Sequence, residues 1–168
     1  IAQGCMRIGG LSDSAIDALM DADKEAGINF FDHADIYGGG RCEEKFGAYL
    51  ARHPSARDDI ILQTKCGIII GKRYDFSRKH ILSCDELHSS GKVRYFGVSN
   101  HNSMQMELLA KYMRAPIVFD QLRFGPAHTC MIDAGINVNM KNAPAVMRDG
   151  MTLDYCRLNG ITIQPWSP

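Results

Sequence analysis

Nowhere in the 168-residue chain is there an apolar run approaching the roughly 20 residues that span a bilayer. Charge of one sign is missing too, because 19 lysines and arginines stand against 19 aspartates and glutamates. The first absence excludes a hydrophobic helical span. The second removes the field that would draw the protein to nucleic acid or an anionic lipid surface, so neither nucleic acid nor membrane is an expected partner. The six cysteines (5, 42, 66, 84, 130 and 156) include no C-x-x-C pair. Scattered singly among nine methionines, they fit reduced thiols better than a disulfide framework, whose home is a much shorter secreted chain. The opening IAQGCMRIGG has no basic region followed by an apolar core and a small-residue cleavage site. A cytoplasmic location is the expectation. There is no low-complexity tract, no repeat of fixed period and only one tryptophan. What remains is 45% hydrophobic and 23% charged, an ordinary globular composition. The length suggests one domain, residues 1–168. With no initiator methionine and an end at QPWSP directly after an apolar run, the chain is expected to be part of a longer polypeptide.

Short apolar runs alternate with longer amphipathic ones. Strands are expected at about 1–7, 28–36, 59–66, 93–98, 117–124 and 161–166. Between them, Ser12 or Ser14 caps a helix with Ile16, Leu19 and Met20 on one face, stopped at Gly27. Residues 42–52 carry Phe46, Tyr49 and Leu50 and end at His53-Pro54. A helix over 77–90 places Ile81, Leu82, Cys84 and Leu87 at helical spacing. Ser103 caps the next, whose apolar face is Leu108, Leu109, Tyr112 and Met113 and which Pro116 ends. A helix from Thr152 to Leu158 is closed by Gly160. Residues 126–150 mix proline, glycine, asparagine and methionine without a period, which marks a functional or loosely ordered connection. Alternation of β then α implies a parallel sheet with helical crossovers, hence an α/β barrel or a doubly wound sheet.

Polar residues decide between them. Asp32 and Tyr37, Lys65, Ser99 and Asn100, Gln121, and Trp166 and Ser167 all fall at the C-terminal ends of strands. That edge binds ligands in parallel α/β proteins, and so many separate strand ends favour one barrel mouth. The glycines Gly38, Gly39 and Gly40 fit neither G-x-G-x-x-G nor P-loop spacing and are most simply a flexible turn. Taken singly, Tyr37 is an exposed loop tyrosine, Asp32 a turn cap, Lys65 a snorkelling strand end and Trp166 a core residue. His33 and Asp35 beside Asp32 have no second group at ligand spacing, so no metal site is expected.

Together, FFDHADIYG, LQTKCG, GKVRYFGVSN, FDQLRFG and PWSP resemble successive signatures of the aldo-keto reductase family, in the family's order from Gly4 to Pro168. The resemblance implies a (β/α)8 TIM barrel that reduces a small-molecule carbonyl, aldehyde or ketone, with NADPH, NADH being the alternative. It implies Tyr37 as proton donor, Asp32 and Lys65 as its electrostatic support, and Ser99, Asn100 and Gln121 as ligands of the nicotinamide carboxamide. Trp166 is implied as the ring stacked on the nicotinamide, with Ser167 opening the loop toward the pyrophosphate. The chemistry agrees: hydride delivered to a carbonyl carbon leaves negative charge on oxygen that a donor must meet. A nearby ammonium at about 4 Å, worth roughly 4 kcal/mol at an effective dielectric near 20, makes a phenol a better donor. A second class stands beside this one, a catalytically weak nucleotide-binding regulatory or truncated relative. Oligomeric state is left open.

The sequence also departs from the family. Such a barrel needs eight strands and roughly 250 residues. Between SRKHIL and DELHSSGK the family carries a further strand bearing a histidine, whereas here Cys84 is followed directly by Asp85. Neither His80 nor His88 matches that motif, so neither takes its role. The last strand and the adenosine-phosphate segment, expected after residue 168, are not part of the sequence. The expectation is an incomplete barrel, with a stretch missing at the 84/85 junction and after 168.

Overall fold

The computed structural model describes residues 1–75 and 77–166. The chain forms two compact units, residues 1–75 and 76–168, each taken by itself below.

The first unit begins with β1 (Gln3–Gly4), then α1 (Asp13–Glu25), β2 (Phe30–Asp32), α2 (Arg41–Arg52), α3 (Ala56–Asp59) and β3 (Ile61–Gln63). The three strands form a parallel sheet in the order β1-β2-β3, with Asp32 opposite both Gly4 and Gln63. Ser12 caps α1 by accepting from the Ala15 N–H at 3.2 Å. Gly27 ends it at φ +71, a conformation that costs glycine nothing. Ile16 and Met20 on α1 and Cys42, Phe46 and Tyr49 on α2 close over Phe31 of β2. The Phe31 and Phe46 rings lie 5.3 Å apart. Each such side chain contributes roughly 1.5–3 kcal/mol on burial, and together they fix the end of β2 from which Asp32 projects. The unit closes with an antiparallel hairpin, β4 (Ile68–Ile69) and β5 (Arg73–Tyr74), turning through Gly71 at φ +70.

The second unit runs α4 (Arg78–Ser89), β6 (Phe96–Ser99), α5 (Ser103–Ala110), β7 (Ile117–Arg123), α6 (Cys130–Ile136), α7 (Thr152–Leu158) and β8 (Thr162–Trp166). Its parallel sheet has the order β6-β7-β8, with Gln121 opposite Ser99 and Gln164, and Arg123 opposite Trp166. Met106, Cys156 and Ile161 form its core, with Val98, Ile117, Tyr155 and Ile163 against them. At Gly97, where the β6 register slips, a Cβ would stand 2.3 Å from the Phe119 ring.

Several expectations change. The strands are shorter than the apolar runs because pairing, not hydrophobicity, sets their length. The hairpin at 68–74 was not anticipated. Asn102, not Ser103, caps α5, through a capping box with Gln105; the Ser103 hydroxyl donates to the Gly150 carbonyl at 2.5 Å. Leu108 is 60% exposed and Met106 takes the buried place. The aperiodic 126–150 stretch contains α6 and a single 3-10 turn at Ala143–Ala145. Cys84 and Asp85 are consecutive within α4, and the Asp85 carboxylate accepts from the Arg114 and Ala115 N–H groups at 2.9 and 3.2 Å. Among the described residues no helix is long and apolar enough to cross a membrane.

Candidate active site

In the first unit the β2–β3 ladder continues past both strands, as His33 N–H donates to Gln63 O and Asp35 N–H to Lys65 O, each at 2.9 Å. This holds 63–65 alongside 32–35. Lys65 Nζ donates to Asp32 Oδ1 at 2.5 Å, and Gln63 Nε2 to the same oxygen at 2.6 Å. The Lys65 and Asp32 side chains are only 25% and 15% exposed, where a charge is stable when paired and hydrogen-bonded. The Tyr37 N–H then donates to Ala34 O at 2.9 Å. Gly38, Gly39 and Gly40 follow at φ +59, +67 and +92. Side chains rarely tolerate three left-handed positions in succession, so the glycines form a specific turn rather than a loose one. The turn leaves Lys65 Nζ 5.3 Å from the centroid of the Tyr37 ring. Asp32, Tyr37 and Lys65 are therefore brought together. Among the described residues no cluster of three His, Cys, Asp or Glu could hold a metal ion.

One neighbour, Gln63, escaped sequence reasoning, and a second, His33, was weighed only as a metal ligand. Gln63 lies two positions before Lys65, on the same side of an extended segment, and that spacing was the available signal. His33 is 1% exposed, with its ring edge-on to Phe46 at 4.7 Å and neither ring nitrogen hydrogen-bonded. Burial holds its pKa below the ordinary histidine value, against the upward pull of Glu43 and Asp32. Glu43 itself accepts from the Thr64 hydroxyl at 2.5 Å, tying α2 to the segment after β3.

In the second unit Ser99, Gln121 and Gln164 lie abreast on three strands. Ser99 Oγ donates to Gln121 O at 3.2 Å, and Gln121 Nε2 to Gln164 Oε1 at 3.4 Å. Asn100 is left-handed, at φ +56, with its N–H on Gln121 O at 3.1 Å. Its side chain reaches Ser99 Oγ at 3.3 Å and accepts from Trp166 Nε1 at 3.2 Å. The Arg123 guanidinium lies 5.9 Å from the Trp166 ring centroid. So Ser99, Asn100, Gln121 and Trp166 converge, while Ser167 lies outside the described residues. Gln164 and Arg123 are additional members that only the strand register reveals. One hydroxyl and three primary amides beside an indole offer hydrogen-bond donors and acceptors next to a flat apolar face.

Two three-stranded parallel sheets whose strands are connected largely through helices, with polar side chains at the C-terminal ends of the strands, define an α/β protein built as part of a (β/α)8 barrel. The family model for the aldo/keto reductase family matches residues 1–84 and 77–168, and the chain belongs to that family. It is 32% identical to the uncharacterized oxidoreductase YcsN of Bacillus subtilis over 200 residues, covering 94% of this chain and 61% of that protein. It is 28% identical to a 6-dehydroglucose reductase of Novosphingobium aromaticivorans over 210 residues, covering 100% of this chain and 64% of that one. A segment of 67 residues is 39% identical to a probable voltage-gated potassium channel subunit beta of Oryza sativa, covering 39% of this chain and 20% of that one. An aldo-keto reductase from Klebsiella pneumoniae solved with NADPH shares the fold at 19% identity and a TM-score of 0.68, covering 99% of this chain and 63% of that one. The chain thus spans about six tenths of the length of the first two curated relatives. Both of those alignments run longer than the chain's own 168 residues, so the relatives carry segments that this sequence does not.

Proposed function

We propose that residues 1–168 are one incomplete barrel domain of a cytoplasmic, NADPH-dependent reductase that converts a carbonyl, aldehyde or ketone, to an alcohol. The observation that carries this reading is the Asp32–Lys65 pair with its ammonium over the Tyr37 ring. The oxidoreductase names of the relatives and the NADPH bound to the Klebsiella protein support it, and the six free thiols suit a reducing compartment.

Tyr37 donates its hydroxyl proton to the substrate oxygen as negative charge builds there. A positive charge about 5 Å from a developing anion is worth roughly 3 kcal/mol at an effective dielectric near 20. Asp32 keeps Lys65 aimed and compensates its charge, and Gln63 fixes Asp32. The donor set in the second unit suits a nicotinamide carboxamide, whose C=O and NH₂ each need partners. Ser99, Asn100 and Gln121 would hold that amide, and Trp166 would lie against the ring and exclude water from one face. When bound, the nicotinamide supplies hydride to the carbonyl carbon. NADH would meet the same carboxamide donors as NADPH.

The test is NADPH consumption with a reactive aldehyde by the parent and by Tyr37→Phe. Phe keeps the ring and removes the proton, so turnover falls at least roughly 10²-fold with cofactor affinity retained. Equal turnover in the two removes Tyr37 from its role. A second reading, a nucleotide-binding regulatory protein of weak catalysis, is favoured by the likeness to the rice channel subunit. A parent that binds NADPH without consuming it decides for that reading.

A further inference from the structure

Strand alternation divides the sheet of the second unit into two faces. Val98 and Ile163 pack with Met106 of α5 and Cys156 of α7, so their face meets the helices. The other face carries Ser99, Gln121 and Gln164 in register, and the next pair toward the strand ends is Arg123 opposite Trp166. Arg123 therefore stands on the amide side, about 7 Å beyond Gln121 at two residues of strand rise. A tight turn follows at once, with Gly125 N–H on His128 O at 3.3 Å and His128 N–H on Gly125 O at 2.9 Å. It leaves Arg123 exposed at the C-terminal edge of the sheet.

The Arg123 guanidinium carbon lies 5.9 Å from the Trp166 ring centroid, within the reach of cation–π attraction. Stacking uses the flat face of a guanidinium and leaves the N–H groups, which radiate in its plane, open to an acceptor. Among the described residues no carboxylate pairs with this guanidinium and no oxygen accepts from it. Other arginines are engaged: Arg52 bridges Asp13 and Asp17, and Arg148 donates to the Ala143 and Val146 carbonyls. The neighbours of Arg123 are engaged too. Ser99 Oγ donates to Gln121 O, Gln121 Nε2 to Gln164 Oε1 and Trp166 Nε1 to Asn100 Oδ1. Beside these uncharged side chains, Arg123 is the cation with donors to spare.

We propose that Arg123 is an anion-binding residue: its guanidinium, laid against the Trp166 indole and beyond the Gln121 amide, takes two oxygens of a carboxylate or phosphate on the small molecule bound there. The planar fork of donors matches either group bidentately. The inference rests on the nicotinamide platform proposed above, which supplies the place for that molecule. Two sources of the anion follow. One is a substrate that bears a carboxylate besides its carbonyl, an oxo acid or an aldehyde acid. The other is a phosphate of the dinucleotide. A neutral carbonyl compound draws no charge pairing from Arg123.

The test uses the full chain at an ionic strength held constant with chloride. Trp166 is the only tryptophan, so its emission reports an anion arriving at the guanidinium stacked on it, without turnover. Benzoate and inorganic pyrophosphate are the probes. At least one of them shifts the parent's emission saturably. Arg123→Gln, which keeps a polar side chain and removes the charge, weakens that binding at least roughly tenfold, and Arg123→Lys restores part of it. Two further arms name the source. With a substrate anion, kcat/KM for a carboxybenzaldehyde falls in Arg123→Gln at least roughly tenfold further than kcat/KM for benzaldehyde. With a cofactor anion, NADPH affinity falls by a similar factor and the two aldehydes change alike. A parent emission indifferent to both anions, or anion binding equal in parent and Arg123→Gln, overturns the proposal. A parent that binds the anions through Arg123 but never consumes NADPH leaves the proposal standing and counts against the reductase reading.

Discussion

Lys65 and Asp32 meet at 2.5 Å through a single carboxylate oxygen, Oδ1, which also takes the Gln63 amide at 2.6 Å. Two donors on one oxygen of a largely buried carboxylate leave it little rotational freedom. The ammonium over Tyr37 is thereby held at a fixed position rather than swept over a surface.

Replacing that ammonium is the most direct probe of the proposed chemistry. Lys65→Met keeps the length of the side chain and deletes the charge. Turnover with a reactive aldehyde falls by at least roughly 10²-fold, the scale on which a lost charge opposite a developing oxyanion is felt. NADPH affinity is expected to change little. Steady-state kinetics beside a direct cofactor titration check both halves.

His33 carries a pH dependence of known sign. Its folded-state pKa lies below the ordinary histidine value because burial disfavours the imidazolium. Below about pH 6.5 the unfolded chain takes up a proton that the folded chain resists, so the contribution of neutral His33 is present above that value and lost as pH falls. Urea midpoints measured between pH 5 and 7.5 decline on the acid side. His33→Leu makes the decline shallower, and an equally steep decline in the variant would clear His33 of the effect.

Gly97 is constrained by contact rather than by backbone angle. A Cβ placed there meets the Phe119 ring at 2.3 Å. Gly97→Ala forces that ring to move within the β6–β7 pair, and overpacking of this kind costs roughly 1–3 kcal/mol. A denaturation midpoint unchanged from the parent would show that the ring escapes freely.

Cofactor binding is readable through the same platform. NADP quenches Trp166 fluorescence and raises the melting temperature in step with occupancy, as linkage requires. Gln121→Leu weakens both responses, because one partner of the carboxamide is lost. Unchanged fluorescence and melting in saturating NADP and NADPH would remove the nucleotide from the proposal.

The parts of this structure legible in the sequence are those set by local pattern. Ile16, Met20, Phe46 and Tyr49 announce α1 and α2 by spacing alone, and Asp32, Lys65 and Gln121 stand out as polar residues closing apolar runs. Partners set by register were hidden. Nothing near Asp32 in sequence says that Gln63 shares its oxygen, and Gln164 gains meaning only beside Gln121. The α5 cap was misplaced by one residue because Asn102 and Ser103 are both good caps, and the Gln105 side chain decides between them. The short hairpin at 68–74 rests on two residue pairs around Gly71, too little for a period to show.

The two three-stranded sheets have one further consequence. Their outer strands, β1 and β3 in one and β6 and β8 in the other, have no second strand partner among the described residues. Ile61 and Leu62 on β3 are also 43% and 39% exposed. Such rows of backbone N–H and C=O are templates for strand addition from another molecule. An added strand would meet unpaired backbone groups along β3 beside two half-exposed apolar side chains.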